Sequence, residues 1–226
     1  MKKEWLFEKM NLNSYNKFGV HVCEEIRTLS RKEKEKIQHR QYIIDAAMQL
    51  FSEQGYHFVS MQEIAAAAEF STGTLYKFFP SKRELFREIM LKVVEDISQE
   101  VRPVLYADID EIEFITKYLE VRRTAFQKRI EYVRLYNVVG NGFGLSGDDV
   151  VDAVITQRKE ESAERIARII QRGVDKGVFK PVNVELATRL FEEFCQTIVR
   201  SEARQGQVSD EDIASIAELF LHGILA

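Results

Sequence analysis

Proline is scarce in this chain, since only three of its 226 residues are prolines, at positions 80, 103 and 181. Proline ends or kinks helices, so the long stretches between these positions are free to be helical. Glu, Lys, Arg, Ala, Ile and Leu are common, and these residue types propagate helices readily. No strand-like alternation and no internal repeat competes with the helical pattern. The sequence therefore predicts an all-α protein.

Long apolar runs and cysteines are lacking as well. No window approaches the roughly 18 apolar residues of a membrane-spanning helix, and Glu4 and Glu8 interrupt any signal-peptide start. The two cysteines, Cys23 and Cys195, are too few for a disulfide framework, which suits a reducing compartment. We therefore expect a cytoplasmic protein with no membrane partner.

The residue patterns of metal sites and enzymes are missing. The histidines at positions 21, 39, 57 and 222 have no histidine one helical turn away and no cysteine pair beside them, and His21 with Cys23 supplies too few ligands. No serine lies on a nucleophile elbow, and the acidic pairs have the pattern of solvated helix faces. We expect no metal, no cofactor and no enzymatic activity.

One motif of nucleotide-binding enzymes does occur. Gly142, Gly144 and Gly147 have the spacing of the GxGxxG phosphate loop and precede a predicted helix. That loop needs a preceding parallel strand, for which only Val138 and Val139 are available. We interpret the glycines as a flexible loop between helices.

Charge is distributed unevenly, although the formal net charge is only −4. Residues 1–92 carry 15 basic and 12 acidic side chains, a net +3, whereas residues 93–226 carry 17 and 24, a net −7. In a protein that docks its N-terminal part on DNA, phosphates attract that part and repel an acidic remainder. The charge pattern permits a DNA partner, but the excess is too small to demonstrate one.

Helix boundaries are clearest between residues 38 and 92. The apolar stripe that begins after Gln38 predicts a first helix of roughly 16 residues, and Gly55 lies where a left-handed C-terminal cap belongs. Ser60 and Glu63 have the spacing of a capping box, so a second, short helix begins there.

A third short helix follows a tight turn. Ser71 caps this helix, and Pro80 limits its length. Ser81 and Glu84 repeat the capping-box spacing and open a long fourth helix that joins two domains. Two short helices separated by a tight turn are the pattern of a helix-turn-helix.

The third helix has an outward face suited to DNA. Leu75 and Phe79 lie four residues apart and face inward. The outward residues are small, hydroxylic or basic, as a helix entering the major groove requires. They are Thr72, Gly73, Thr74, Tyr76 and Lys77.

Several motifs of this region occur together in register. They are Ile64-Ala65, Ser71-Thr72-Gly73-Thr74-Leu75-Tyr76, Phe79 and Ser81-Lys82-Arg83-Glu84-Leu85. Through these motifs, residues 43–91 resemble the DNA-binding domain of the TetR/AcrR family of transcriptional regulators. The resemblance implies a TetR-like fold, with an N-terminal three-helix helix-turn-helix domain and a C-terminal helical ligand-binding and dimerisation domain.

The resemblance also implies which side chains contact DNA. Thr74, Tyr76 and Lys82 are expected to contact phosphates. Gln62, Thr72, Gly73 and Lys77 are expected at or near base edges, and the capping serines Ser60 and Ser71 complete the predicted DNA-binding set. The implied partner is a palindromic double-stranded DNA operator, bound by a homodimer.

The sequence departs from the family pattern in and near the turn. Glu69 stands where the family usually has glycine, Phe70 replaces a small aliphatic residue, and Phe78 stands where histidine is frequent. A non-glycine residue held at positive φ costs about 1 kcal/mol, so we expect a strained or altered turn at Glu69.

The rest of the chain is divided by helical periodicity. We assign residues 1–36 to an N-terminal extension, 37–83 to the helix-turn-helix domain and 84–226 to the C-terminal domain. Beyond Pro103, helices are predicted over roughly 110–139, 148–176, 183–205 and 209–225. Apolar residues of the last two helices form either a dimer seam or intrachain core. They are Leu186, Leu190, Ile198, Ile213, Ile216, Leu219 and Phe220.

The C-terminal domain is rich in aromatic residues, and the resemblance implies a small-molecule pocket there. The candidate contacts are Phe114, Tyr118, Phe126, Tyr132, Tyr136, Phe143, Phe191 and Phe194, for each of which core packing is the alternative. The predicted function is a repressor released from its operator by an apolar or aromatic effector. The alternative is an architectural or adaptor factor with the same DNA-binding domain, controlled by a protein partner.

Overall fold

The computed structural model describes residues 30–143, 149–205 and 208–225. These residues form nine α-helices and a 3-10 helix at Tyr56–Phe58, and they contain no β-strand. The α-helices are α1 (Arg31–Gln54), α2 (Met61–Ala67), α3 (Thr72–Phe78), α4 (Lys82–Leu105), α5 (Glu111–Gln127), α6 (Ile130–Phe143), α7 (Asp149–Asp175), α8 (Val184–Gln205) and α9 (Asp210–Ile224). The all-α prediction is confirmed. No helix in the described ranges has the length and apolar character needed to cross a membrane.

The first four helices build one hydrophobic core, which we call the head core. Leu135 of α6 and Val151 of α7 complete this core from the C-terminal side. Its most deeply buried members include Ile43, Ala47, Phe51, Ile64, Leu75, Phe79, Leu85 and Ile89. We refer to α1, α2, α3 and the N-terminal half of α4 as the head.

α1 begins at Arg31, seven residues before the position from which its apolar stripe is clear. Glu33 N donates to Ser30 Oγ at 3.3 Å, and Ser30 N donates to Glu33 Oε2 at 2.9 Å, which together form a capping box. The exposed charged run at 31–36 is therefore the start of a 24-residue helix. The domain boundary predicted after residue 36 falls inside α1, and residues 1–29 of the predicted extension lie outside the described residues.

The second core, the body core, is formed by the C-terminal half of α4 with α5, α7, α8 and α9. We refer to this C-terminal helical part, together with α6, as the body. Side chains from all these helices except α6 meet in the body core, where the most deeply buried include Phe114, Ile115, Tyr118, Ile170, Phe191 and Cys195.

One predicted helix proves to be two. α5 ends at Gln127 and α6 begins at Ile130, so the prediction of a continuous helix through this region is wrong. Tyr118 of α5 belongs to the body core, whereas Tyr132 and Leu135 of α6 pack with the head core. The chain turns between the two helices because α6 leaves the body core and packs against the head.

α4 connects the two cores. Leu85 and Ile89 lie in the head core, Val104 lies in the body core, and Ile97 packs against both. α4 also continues through Pro103 to Leu105. Pro103 lies in the last turn, where it removes the one hydrogen bond that a backbone N–H at this position would donate to Gln99 O.

Candidate DNA-binding surface

α2 begins with the capping box that the sequence predicts. Glu63 N donates to Ser60 Oγ at 3.2 Å, and Ser60 N donates to Glu63 Oε2 at 2.7 Å. The hydrogen bonds from Ser60 lower the pKa of the Glu63 carboxyl from its ordinary value. The Ser60 hydroxyl, predicted to contact DNA, is used in this cap, whereas Gln62 beside it is exposed.

The turn between α2 and α3 has the strain expected at its glycine-like position. Glu69 has a φ of 60°, and it is the non-glycine residue with positive φ among the described residues. Its N–H donates to Ala66 O at 3.1 Å, and Phe70 N donates to Ala65 O at 2.8 Å. This bond pair is a Schellman motif, which satisfies the last carbonyls of α2 but requires a left-handed residue. The Phe70 ring then packs edge-on against His39, with 5.0 Å between centroids.

α3 starts at a serine cap. Thr74 N donates to Ser71 Oγ at 3.1 Å, and the Thr74 and Ser71 hydroxyl oxygens lie 2.8 Å apart. These two residues, both predicted to contact DNA, thus hold the start of α3 together. A hydroxyl both donates and accepts, so Thr74 still has hydrogen-bonding capacity for a phosphate.

The buried and exposed faces of α3 are arranged as the sequence predicts. Leu75 is fully buried, and Phe79, directly after the helix, is 1% exposed. On the other face Tyr76 is 46% exposed and Gly73 and Lys77 are exposed, whereas Thr72 and Thr74, also predicted to face outward, are half-buried. A Cβ at Gly73 would approach only Ser71 Oγ, at 4.0 Å, so packing within the chain does not require glycine there.

Arg40 of α1 holds the C-terminal end of α3 in place, a role that was not predicted from the sequence. Its Nε donates to Glu88 Oε1 of α4 at 2.5 Å, and a second guanidinium nitrogen pairs with the other Glu88 oxygen. Arg40 Nη1 also donates to Phe78 O at 3.2 Å, and its Cζ lies 4.4 Å from the Phe79 ring centroid. One side chain therefore joins α1, the end of α3 and α4.

Lys82, predicted to clamp phosphate, is hydrogen-bonded to the protein backbone. Its Nζ donates to Tyr56 O and Val59 O at 2.6 Å each and lies 3.5 Å from His57 O. Burial lowers the pKa of the ammonium group, and the nearby Glu63 charge opposes that shift. An ammonium group has three N–H donors, so a phosphate must compete with these carbonyls.

The N-terminus of α4 shows half of the predicted capping box. Glu84 N donates to Ser81 Oγ at 3.2 Å. The Glu84 carboxylate does not return to the Ser81 amide, because it accepts from Arg87 Nη1 at 2.8 and 3.0 Å. The prediction of a complete capping box is wrong here, since the ion pair within the first turn takes the carboxylate.

Comparison with known proteins agrees with this geometry. Residues 43–89, from α1 to the first turns of α4, match the family described as bacterial regulatory proteins, tetR family. The chain is 26% identical to the HTH-type transcriptional regulator YhgD of Bacillus subtilis, over 82% of this chain and 95% of that protein. It is 25% identical to the HTH-type transcriptional repressor KstR2 of Rhodococcus jostii, over 79% of this chain and 87% of that protein. A TetR/AcrR-family regulator from Thermobifida fusca superposes with a TM-score of 0.67 at 22% identity, covering 82% of this chain and 98% of the other.

The chain belongs to the TetR/AcrR family. It is accordingly a helix-turn-helix transcriptional regulator. The relatives named above are regulators and not enzymes, in agreement with the sequence analysis.

The body of this TetR/AcrR-family protein contains a cavity of about 310 Å³ between α4, α5, α6, α7 and α8. We call it the body cavity. It lies at the junction of the cores, because Met90 and Val93 of its wall belong to the head core and Val101 and Leu105 to the body core. Apolar side chains form most of the wall, among them Val94, Ile97, Val133, Val151, Ile155 and Val199.

Three of the eight aromatic residues predicted to contact a ligand line the body cavity, namely Phe126, Tyr132 and Tyr136. The side chain of Phe143 lies outside the described residues. Polar side chains that the sequence analysis missed also line the cavity, including Arg122, Arg158 and Gln196. No local sequence signal marks these three residues, since each lies within an amphipathic helix among many charged and polar neighbours.

The other four aromatic residues belong to the core and do not line the cavity. The rings of Phe114 and Tyr118 stack with 5.6 Å between centroids, and Tyr118 lies 5.8 Å from Phe191. Phe194 packs edge-on against Phe220 at 5.9 Å. The assignment of these four residues to the ligand site is corrected, because their helical spacing reflects packing of α5 against α8 and α9.

The residues predicted for a dimer seam divide into two groups. Leu186, Leu190 and Leu219 are 56%, 51% and 65% exposed on the outer faces of α8 and α9. Ile198, Ile213 and Phe220 are buried in the body core, and Ile216 is partly buried against it. For these four the structure supports the intrachain alternative, because the inward faces of α8 and α9 need them for packing.

We predict that Glu69→Gly stabilises the protein. Glycine adopts a φ of 60° without the steric cost that a side chain brings, which should raise the free energy of unfolding by about 0.5–1 kcal/mol after its greater chain entropy is counted. The measurement is urea-induced unfolding followed by circular dichroism. Glu69→Ala is the matched control, since alanine removes the same carboxylate but keeps the strain. Equal stability of the two variants would contradict a strained turn.

We predict that Lys82→Met destabilises the head. Charge-assisted hydrogen bonds to Tyr56 O and Val59 O are lost, which should lower the free energy of unfolding by about 1–2 kcal/mol. Lys77→Met, which removes an exposed lysine from α3, is the control and should leave stability unchanged.

The salt dependence of DNA binding separates the two possible roles of Lys82, a contact to phosphate and a purely structural contact. A phosphate contact would reduce the slope by about one on substitution, whereas a purely structural lysine would not.

Proposed function

We propose that this regulator is a homodimeric repressor that binds a palindromic operator and is released when a small ligand occupies the body cavity. It would act in the cytoplasm, where operator DNA is accessible. The observation that carries the DNA-binding part is the outward face of α3. That face presents Thr72, Gly73, Tyr76 and Lys77 while Leu75 and Phe79 are buried.

The proposed contacts follow from exposure and chemistry. Lys77 and Thr72 of α3 and the exposed Gln62 of α2 would contact base edges, and Gly73 permits close approach of the backbone. Tyr76 and Thr74 donate to phosphates. Since phosphate contacts position a protein while base contacts specify sequence, these two sets should respond differently to substitution.

The exposed leucines support a dimer. Leu186 and Leu190 lie one helical turn apart on α8, and Leu219 is exposed on α9. Two copies that pair through these faces would form a four-helix seam and hold two heads toward DNA. One short recognition helix reads few base pairs, so a two-fold pair of heads doubles the sequence that is read.

The position of the body cavity supports control by a ligand. Its wall includes Met90 and Val93 of α4, which also pack in the head core. Tyr132 of α6 lines the cavity and also lies beside Asp45 and Met48 of α1. A ligand that fills the cavity therefore touches the elements that set the position of the head.

The cavity also favours this proposal over an adaptor controlled by a protein partner. An adaptor needs no internal space, whereas a volume of about 310 Å³ lies within the range of small-molecule sites, about 300–1,000 Å³. Repression is supported by the name of a relative, since KstR2 of Rhodococcus jostii is a transcriptional repressor.

We expect selection from random duplex DNA to enrich a palindrome whose affinity falls steeply with salt concentration. Tyr76→Phe should weaken binding to all sequences alike, whereas Thr72→Ala and Lys77→Ala should change the preferred sequence. Tyr106→Phe is the matched control, because Tyr106 is 54% exposed but lies at the end of α4 in the body. Failure to enrich any sequence would contradict operator recognition.

We predict that Leu190→Glu converts the dimer to a monomer, since it places charge in the apolar seam. Sedimentation velocity of the full chain measures the change. Ile37→Glu is the control, because Ile37 is 51% exposed on α1 in the head, as exposed as Leu190 but outside the proposed seam. A variant that stays dimeric would move the seam to another face.

A further inference from the structure

The body cavity contains a positive charge for which the described residues supply no ion-pair partner. Arg122 of α5 lines the cavity, and its Nη1 donates to Tyr118 Oη at 3.2 Å. Its Cζ lies 5.2 Å from the centroid of the Phe126 ring. These contacts orient the guanidinium group without neutralising it. Arg122 Nε is buried without a hydrogen-bond partner, and no described carboxylate forms an ion pair with this side chain.

The two carboxylates of the cavity wall, Glu95 and Glu161, are already paired with another wall residue and so do not neutralise Arg122. Arg158 pairs with Glu95 at 3.2 Å and with Glu161 at 2.9 Å, and Arg200 lies 3.5 Å from Glu193. Five basic and two acidic side chains line the cavity, and both acidic ones accept from Arg158. The environment of Arg122 is therefore positive.

Glu192 of α8 is the acid whose charge acts on Arg122, but it is a poor counter-ion. Burial raises the pKa of the Glu192 carboxyl, although Arg122 and Lys159 oppose the shift. The two side chains form no ion pair in the described structure. Glu192 therefore does not neutralise Arg122 directly.

An arginine cannot escape this situation by losing its proton, because its pKa lies far above neutral pH. A buried charge without an opposite charge is destabilising, so the presence of Arg122 in this wall points to a partner from outside the chain. Guanidinium groups pair with carboxylates and phosphates through charge-assisted hydrogen bonds of fixed geometry, and a carboxylate is the smaller of the two groups. Nη1 is committed to Tyr118, and the remaining donors are left for such a group.

We propose that the effector is a compact organic acid whose carboxylate pairs with Arg122 and whose apolar part fills the space between α4 and α6. This proposal rests on the proposed function, because it names the chemical class of the ligand that the body cavity takes. Val94, Ile97 and Val133 form the surface for the apolar part. The volume of about 310 Å³, at the lower end of small-molecule sites, favours a free acid over a bulky conjugate.

The test uses three probes that share one apolar chain and differ in the head group: decanoate, decan-1-ol and decylamine. Binding to the full-length protein is measured by isothermal titration calorimetry without DNA. We expect decanoate to bind at least tenfold more tightly than the alcohol, and the amine to bind most weakly. Arg122→Met should remove the preference for the acid, while Arg122→Lys should keep part of it.

Arg200→Met is the matched control, because Arg200 also lines the cavity but is paired with Glu193, and it should retain the preference. Equal binding of acid and alcohol, a preference that survives Arg122→Met, or no binding of any probe would each overturn the proposal. Thermal unfolding of unliganded Arg122→Met confirms that this variant folds. Selection of operator DNA by the wild-type protein is a separate measurement, so loss of the acid preference does not by itself contradict the regulator.

Discussion

Two hydrophobic cores share one helix, and this constraint determines how the rest of the protein is arranged. α4 places Leu85 and Ile89 in the head core and Val104 in the body core, with Ile97 packed against both. Close-packed interiors do not deform continuously, so a shift at one end of a packed helix is transmitted to the other. The recognition helix is tied to α4 by Arg40 and Glu88, and the body cavity opens along the same helix.

Within the head, residues that hold α3 and residues free to bind DNA are largely different. Leu75 is buried behind α3, and Arg40 binds the carbonyl at its end. The Ser71 hydroxyl accepts a hydrogen bond from the backbone at the start of the same helix. Tyr76 and Lys77 are exposed and have no part in these contacts. The exposed pair is therefore available to DNA without loss of local stability, while substitution of the first group would act through the fold.

Structure that depends on local signals could be predicted from the sequence. The capping box at Ser60 and the strained position of Glu69 depend on residues within one or two turns, which periodicity and spacing reveal. Contacts between residues that are distant along the chain could not be predicted in this way. Lys82 binds carbonyls 23 and 26 residues away, and Arg40 binds Glu88 48 residues away. The turn between α5 and α6 was missed for the same reason, because only the tertiary fold shows that the two helices serve different cores.

An effector changes operator affinity only if it binds the protein more tightly when the head is in one position than when it is in another. Arg122 contacts Tyr118 and Phe126, which both lie in α5 of the body. An acidic group bound to Arg122 would therefore contact the body and not the head. Met90 and Tyr132, by contrast, line the cavity and pack with the head core. The carboxylate would thus supply binding affinity. The contacts of the apolar part of the ligand would differ between positions of the head. Affinity and release are then separable properties of one ligand, with the head group governing the first and the shape of the apolar part governing the second.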